Sequence, residues 1–222
     1  MTLRTLRASI IGLVVIAVLV FVPAGTVAYW QGWHFIIVFA LSTNLIGLYL
    51  ARNDPALLQR RMKFGPQAET RPVQKALVGL AFVAFSALPV VSALDHRLGW
   101  SDVPDWVSVF GAFLVWLGLM IDLLVFRRNS FGASTVETME GQTVISSGPY
   151  ALVRHPMYVG ALVMLVGVPL ALGSYWGLLF VIVFVPVLAL RILDEEAMLL
   201  RELDGYAEYT RSVRYRLVPG VW

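Results

Sequence analysis

Long apolar stretches separated by polar breaks dominate the chain: Ala8–Val27, Trp33–Leu50, Val73–Leu94, Trp106–Phe126, Met157–Leu172 and Tyr175–Leu193. A helix needs about 20 apolar residues to cross the hydrocarbon of a bilayer, so each stretch predicts a crossing. The fifth is the shortest and carries Pro169, which predicts a kink or an incomplete span. Only Gly173-Ser174 separates it from the sixth, which predicts a tight antiparallel hairpin. Between the second and third stretches, Pro55–Met62 has the composition of a short interfacial helix. The stretch 127–156 is polar with scattered glycine, and structureless segments of that length are usually functional or disordered. After the last crossing, Asp194–Ser212 predicts an amphipathic helix. Its apolar stripe would be Leu199, Leu200, Leu203 and Ala207, with Glu202, Glu208 and Arg211 turned away. The expected fold is therefore all-α, a polytopic membrane protein of about six transmembrane helices with a C-terminal amphipathic cytosolic helix. It forms one membrane domain over residues 1–222, with the N-terminal helices in 1–126.

Composition supports this pattern. Apolar residues make up 59% of the 222 residues and charged residues only 14%, with a mean hydropathy of +0.76. Soluble domains average about 45–50% apolar and about 25% charged. The first stretch follows Arg4 and Arg7 and resembles a secretory signal, but it runs 20 residues without a clear small-x-small cleavage site, so a retained helix is expected. There are no cysteines, which excludes disulfides, thiolate metal ligands and a cysteine nucleophile. The net charge of +3 does not imply nucleic acid, because the basic residues sit beside the apolar stretches. With the N-terminus inside and six crossings, every one of the 17 Lys and Arg residues except Arg97 falls on the cytosolic side. Both termini are then cytosolic, in the inner membrane if the source is a bacterium.

Two polar clusters border the membrane on that side. The first is Arg154-His155-Pro156-Met157-Tyr158. Proline suits the first turn of a helix, so the fifth helix is expected to begin at Pro156, with His155 and Tyr158 on similar faces. The plain alternative is an interfacial anchor, with arginine snorkelling and tyrosine in the aromatic belt. The second cluster is Arg191, Asp194, Glu195 and Glu196, whose plain alternative is a wet Arg191–Glu195 pair at i,i+4. The short hairpin brings the two clusters to the same depth. Together they make a pocket of acids, aromatics and imidazole, suited to a cationic ligand with a ribose and an adenine.

These residues carry a resemblance. Gly148, Tyr150, Arg154, His155, Pro156, Tyr158 and Gly160 form G-x-Y-x-x-x-R-H-P-x-Y-x-G. Glu195, Glu196 and Leu199 form E-E-x-x-L, followed by Tyr206, Tyr209 and then Pro219. Over 127–222 the chain resembles the isoprenylcysteine carboxyl methyltransferase family and the related membrane phospholipid methyltransferases. One departure is that Leu203 stands where the family usually has glycine, and Gly205 lies beside Tyr206. The resemblance implies S-adenosyl-L-methionine as methyl donor, with 127–222 as the cofactor-binding and catalytic half. It implies cofactor contacts from Tyr150, His155, Pro156, Tyr158, Gly160, Glu196, Tyr206 and Tyr209, and catalytic roles for Arg154, Arg191 and Glu195. Arg154 or Arg191 would steer an anionic acceptor. The implied acceptor is lipid-like or prenylated, first of all an isoprenylcysteine-type carboxylate. A carboxylate needs no general base; an amine would, and His155 or Glu195 could serve. A phospholipid amine or a small thiol is the further alternative. Membrane lipids are the other expected partners, and the sequence does not speak to oligomeric state.

Other classes fit less well. Sterol reductases, which use NADPH, look similar near Val213–Pro219. They typically carry an arginine-rich, cysteine-containing element where this chain has Glu195 and Glu196, and acids repel a 2′-phosphate. A transporter would place its polar groups at the bilayer midplane rather than at one face. Asp122, within the fourth stretch, is a functional candidate or a snorkelling acid. His34 and Asn44 are expected to hydrogen-bond between helices. Three histidines without carboxylates at ligand spacing predict no metal site.

Overall fold

The computed structural model describes residues 3–222, with side chains from Thr5 onward, so the Arg4 side chain counted above lies outside the described residues. Its helices are α1 (Leu3–Ala24), α2 (Trp30–Asn53), α3 (Pro55–Arg61), α4 (Pro72–Leu98), α5 (Asp105–Phe126), α6 (Pro156–Ala171), α7 (Leu178–Glu202) and α8 (Tyr206–Ser212). The described residues contain no strand. Asp54 caps α3 by accepting from the Leu57 N–H, and Pro156 opens α6 as the sequence predicts.

By length and composition α1, α2, α4 and α5 can each cross a membrane. The fifth expected crossing is the 16-residue helix α6. At about 1.5 Å per residue it spans about 24 Å, less than a hydrocarbon core of about 30 Å. The sixth is the first part of α7, whose apolar run ends at Leu193, after which the same helix continues through Asp194, Glu195 and Glu196 to Glu202.

The expected tight pairing of α6 with α7 is not the main contact of either. α6 packs chiefly on α5, and α7 packs on α4. The reason lies in glycines seven apart on each of two antiparallel helices, Gly111 and Gly118 on α5 with Gly160 and Gly167 on α6. A Cβ on Gly118 would come within 2.7 Å of the Met164 nitrogen, and one on Gly167 within 2.7 Å of the Gly111 oxygen. Small residues let helix backbones touch, which supplies dispersion where lipid supplies no hydrophobic drive. At one end of the bundle the turns are tied together. Buried Asp95 accepts from the Ser101 N–H and hydroxyl, each at 2.7 Å, and from Ser174 at 2.5 Å, while the Tyr29 hydroxyl donates to the Leu172 carbonyl.

The expected helix Asp194–Ser212 is not one unit. Leu203 is extended and Gly205 adopts φ +82°, which splits the segment into the end of α7 and the short α8. The break resets the helical phase. Leu200 and Ala207, expected in the apolar stripe, are exposed, and the buried face is Met198, Tyr206, Tyr209 and Val213. Glu202, Glu208 and Arg211 are exposed as expected. Asn44 accepts from Ser9 across α1 and α2, whereas His34 Nδ1 is buried without a partner. Asp122 does not snorkel: its Oδ1 is buried without a partner, in the α5–α6 groove beside Gly160.

Candidate active site

At the end of the bundle opposite the Asp95 cluster lies an open cavity of about 850 Å³, mouth included. Its walls come from the 127–147 segment, from Tyr150 and Arg154–Tyr158, from the polar end of α7, and from α8. Of the residues named from sequence, Tyr150, Arg154, His155, Pro156, Tyr158, Arg191, Glu195, Tyr206 and Tyr209 line it. Gly160 and Glu196 do not. Gly160 is buried against α5, where a Cβ would meet the Gly118 oxygen at 2.8 Å.

Adjacent acids on a helix point about 100° apart, and here they do different things. Glu196 is buried and meets two guanidinium groups and an imidazole. Arg154 Nε donates to Oε1 at 2.6 Å, His155 Nε2 lies 3.1 Å from the same oxygen, and Arg216 Nε donates to Oε2 at 2.7 Å. Burial by itself would raise the Glu196 carboxyl, but the bonds from His155, Arg154 and Arg216 outweigh it and hold it at about 2. Arg154 also donates from Nη1 to the carbonyls of Val213 and Arg214, both at 2.8 Å. The backbone completes the clamp: the N–H groups of Arg154 and His155 donate to the carbonyls of Tyr215 and Arg216. The segment after α8 is thereby strapped under the RHP turn.

Glu195 lines the cavity. Its Oε2 accepts from the Tyr158 hydroxyl at 2.7 Å, and Oε1 has no partner among the described residues. Tyr158 in turn accepts from Arg191 Nε at 3.0 Å. The Arg191–Glu195 pair of the plain alternative does not form. Arg191 pairs instead with Glu69 at 2.9 Å, and donates to Gln74 at 2.6 Å and to the Ser134 carbonyl at 3.0 Å. Glu69 outcompetes Glu195 because it lies on the same side as the guanidinium fork and is itself buried, so the charges are poorly screened there. Each guanidinium nitrogen of Arg154 and of Arg191 already has an acceptor.

The remaining wall is aromatic. Tyr150 accepts from Asn129 at 2.7 Å, and the Tyr209 hydroxyl donates to the Tyr150 carbonyl at 2.8 Å. Burial pushes the Tyr150 phenol up to about 12, and pushes Tyr206 and Tyr209 well up too, with Glu196 adding to the Tyr206 shift. These phenols therefore stay protonated. The Tyr206 hydroxyl is buried without a partner among the described residues, in a side chain that lines the cavity. A buried orphan hydroxyl costs about 1–3 kcal/mol and invites a ligand atom. Sequence reasoning missed Glu69, Gln74 and Asn129. Glu69 and Gln74 sit in or beside a polar connection with no periodic signal, and Asn129 opens another. Among the described residues no group of three or more His, Cys, Asp or Glu residues is placed to hold a metal.

Comparison with known proteins bears on this site. Residues 106–205 match the phospholipid methyltransferase family, PEMT. The match runs from α5 through the 127–155 segment and α6 to just past the end of α7. A curated relative is the Delta(14)-sterol reductase TM7SF2 of Mus musculus, 31% identical over 105 residues, or 44% of this chain. The chain spans about a quarter of that relative's length, 25%.

Proposed function

We propose that this chain, whose residues 106–205 carry the phospholipid methyltransferase pattern, is an integral-membrane methyltransferase that uses S-adenosyl-L-methionine and acts on a lipid-like acceptor. The observation that carries the reading is the cavity wall. It offers Glu195 with a spare oxygen beside Tyr206 and other tyrosine faces, while every guanidinium nitrogen of its two arginines already has an acceptor. Such a wall suits a ligand with an ammonium, a sulfonium and ribose hydroxyls. It does not suit the 2′-phosphate of NADPH, which calls for an uncommitted guanidinium.

When bound, the donor supplies a methyl carbon on sulfur, which an acceptor lone pair takes in line as the carbon–sulfur bond breaks and its electrons stay on sulfur. The protein's part is alignment and the exclusion of water. Glu195, Tyr206 and the Tyr150 and Tyr209 rings hold and orient the donor. Arg154 and Arg191 serve by fixing Glu196 and Tyr158 rather than by meeting the acceptor. An isoprenylcysteine-type carboxylate arrives ionised and needs no base; an amine or thiol would give up its proton, and Glu195 is a carboxylate at the cavity able to accept it. The lipid tail stays in the bilayer beside the helices.

We further infer six crossings with both termini and the cavity in the cytosol. In support, the α6–α7 turn reaches the end of the bundle where Tyr29 and Asp95 lie, while the start of α6 and the polar end of α7 border the cavity at the other end. Reporter fusions after Trp222 and within 93–105 test this, and an outward C-terminus overturns it. For the activity, calorimetry on detergent-purified protein should give micromolar binding of S-adenosylhomocysteine, about −8 kcal/mol. Binding of NADPH with no S-adenosyl ligand bound would instead favour the reductase chemistry named for the mouse relative.

A further inference from the structure

The 127–147 segment supplies a large part of the cavity wall, yet it contains no helix or strand. Side chains from other elements hold it in place. Arg60 donates to the Ser130 carbonyl at 2.5 Å and Arg61 to the Gly132 carbonyl at 2.9 Å, while the Ser134 hydroxyl donates to the Arg61 carbonyl at 3.3 Å. Glu69 differs from these anchors in being sealed from solvent, with 1% of its side chain exposed. Its Oε2 accepts from the Val136 N–H at 3.2 Å, and its Oε1 accepts from Arg191 Nη1 at 2.9 Å.

Those two bonds complete a continuous path. It runs from the Val136 amide through Glu69 and Arg191 to the Tyr158 hydroxyl and on to Glu195 in the cavity. Arg191 also holds the segment directly, through the Ser134 carbonyl. Lifting the segment away would strip an N–H from a buried carboxylate and an acceptor from a buried guanidinium, and buried charged groups lose most when a partner goes. The planar fork of Arg191 cannot turn toward one partner without turning from the others. A ligand that engages Glu195 orients Tyr158, and through it the fork that presents Glu69 to the segment.

We propose that Glu69 is a positioning residue: it latches the 127–147 segment over the cavity and ties its closure to ligand contact at Glu195. The second half rests on the methyl-donor reading of the cavity. The coupling is reciprocal, so a looser segment also weakens the ligand.

Hydrogen exchange of the purified full chain in detergent, with and without S-adenosylhomocysteine, tests this. In Glu69→Gln, amides around Val136 should exchange about tenfold faster without ligand, and the product should bind about fivefold more weakly. Tyr158→Phe removes the Arg191 Nε acceptor and should loosen the ligand-free segment less than Glu69→Gln does, but it should abolish the ligand-linked slowing. Thr138→Val removes another bridge from the segment to α7, the Thr138–Glu202 bond at 2.8 Å, which has no path to Glu195. It should leave both readouts within about twofold of wild type. Glu69→Asp, should Glu69→Gln fail to fold, keeps the charge but shortens the reach and should loosen the segment by a smaller factor. Wild-type exchange in both Glu69 variants overturns the latch. Undiminished ligand-linked slowing in Tyr158→Phe overturns the tie to Glu195. Failure of the wild type to bind the product sinks the methyl-donor reading and the tie together, while the ligand-free comparison still decides the latch.

Discussion

The guanidinium of Arg154 meets the carboxylate of Glu196 at 2.6 Å, with only 6% and 7% of the two side chains exposed. His155 and Arg216 share the same carboxylate. The RHP turn, α7 and the strap after α8 are thus joined at one acid, so the motif fixes the frame of the site as well as lining it.

Glu196→Gln leaves Arg154 and Arg216 short of a counter-charge. Breaking a buried pair from one side costs about 3–5 kcal/mol. Thermal unfolding in detergent should show a large loss, whereas Glu202→Gln, at an exposed acid, should stay within about 0.5 kcal/mol. Similar stability of the two variants would remove Glu196 from the framework.

The same acid makes a pH prediction. Its carboxyl is held at about 2, below the ordinary 4.5. Falling pH protonates the unfolded chain first, so the stability Glu196 contributes is fully present above about 4.5 and is lost as pH falls toward 2. The wild type should lose stability over that window more steeply than Glu196→Gln. Parallel pH curves would count against the cluster.

Glu195→Gln should do the converse. The fold should survive, because Tyr158 can still donate to the amide oxygen. Affinity for S-adenosylhomocysteine should fall by about 1.5–3 kcal/mol, roughly 10- to 150-fold, through loss of a charge-assisted bond. Calorimetry on the folded variant decides it, and unchanged affinity would take Glu195 out of the site.

Tyr206→Phe isolates the orphan hydroxyl. Without ligand the change should be neutral or slightly stabilising, since an unpartnered buried group is removed. With S-adenosylhomocysteine, binding should weaken by about 0.5–1.5 kcal/mol. A ligand-free destabilisation would mean that the hydroxyl has a partner in the empty protein.

Gly118→Ala tests the helix seam. The added carbon would press on the Met164 backbone at 2.7 Å, and overpacking costs about 1–3 kcal/mol. Gly12→Ala in α1, where nothing lies within 4 Å, should be harmless by the same thermal assay. Equal effects would contradict the close approach of α5 and α6.

Local rules recovered what local rules control. The start of α6 at Pro156, the short α3 and the apolar spans were legible because proline geometry and hydropathy act over a few residues. The Glu195–Glu196 divergence was also within reach, since the expected helix Asp194–Ser212 already held both acids and adjacent helical residues point about 100° apart. The phase error at Ala207 came from Gly205, whose left-handed backbone interrupts the periodicity, whereas Leu200 precedes the break and lies on the outer face of α7. The paired glycines of α5 and α6 were visible as a spacing of seven on both sides. Glu69 was not legible, because a lone acid in a polar connection is defined only by Arg191, a partner 122 residues away.

The clamp around Glu196 also sets an order of events during synthesis. Arg154 and His155 leave the ribosome well before Glu196, Val213 and Arg214 exist to receive their hydrogen bonds. Until then the guanidinium has to remain hydrated at the membrane border, since an unpaired charge is costly to bury. The helices can enter the bilayer one after another, but the cavity is expected to close late and in a single step, when the segment after α8 docks beneath the RHP turn.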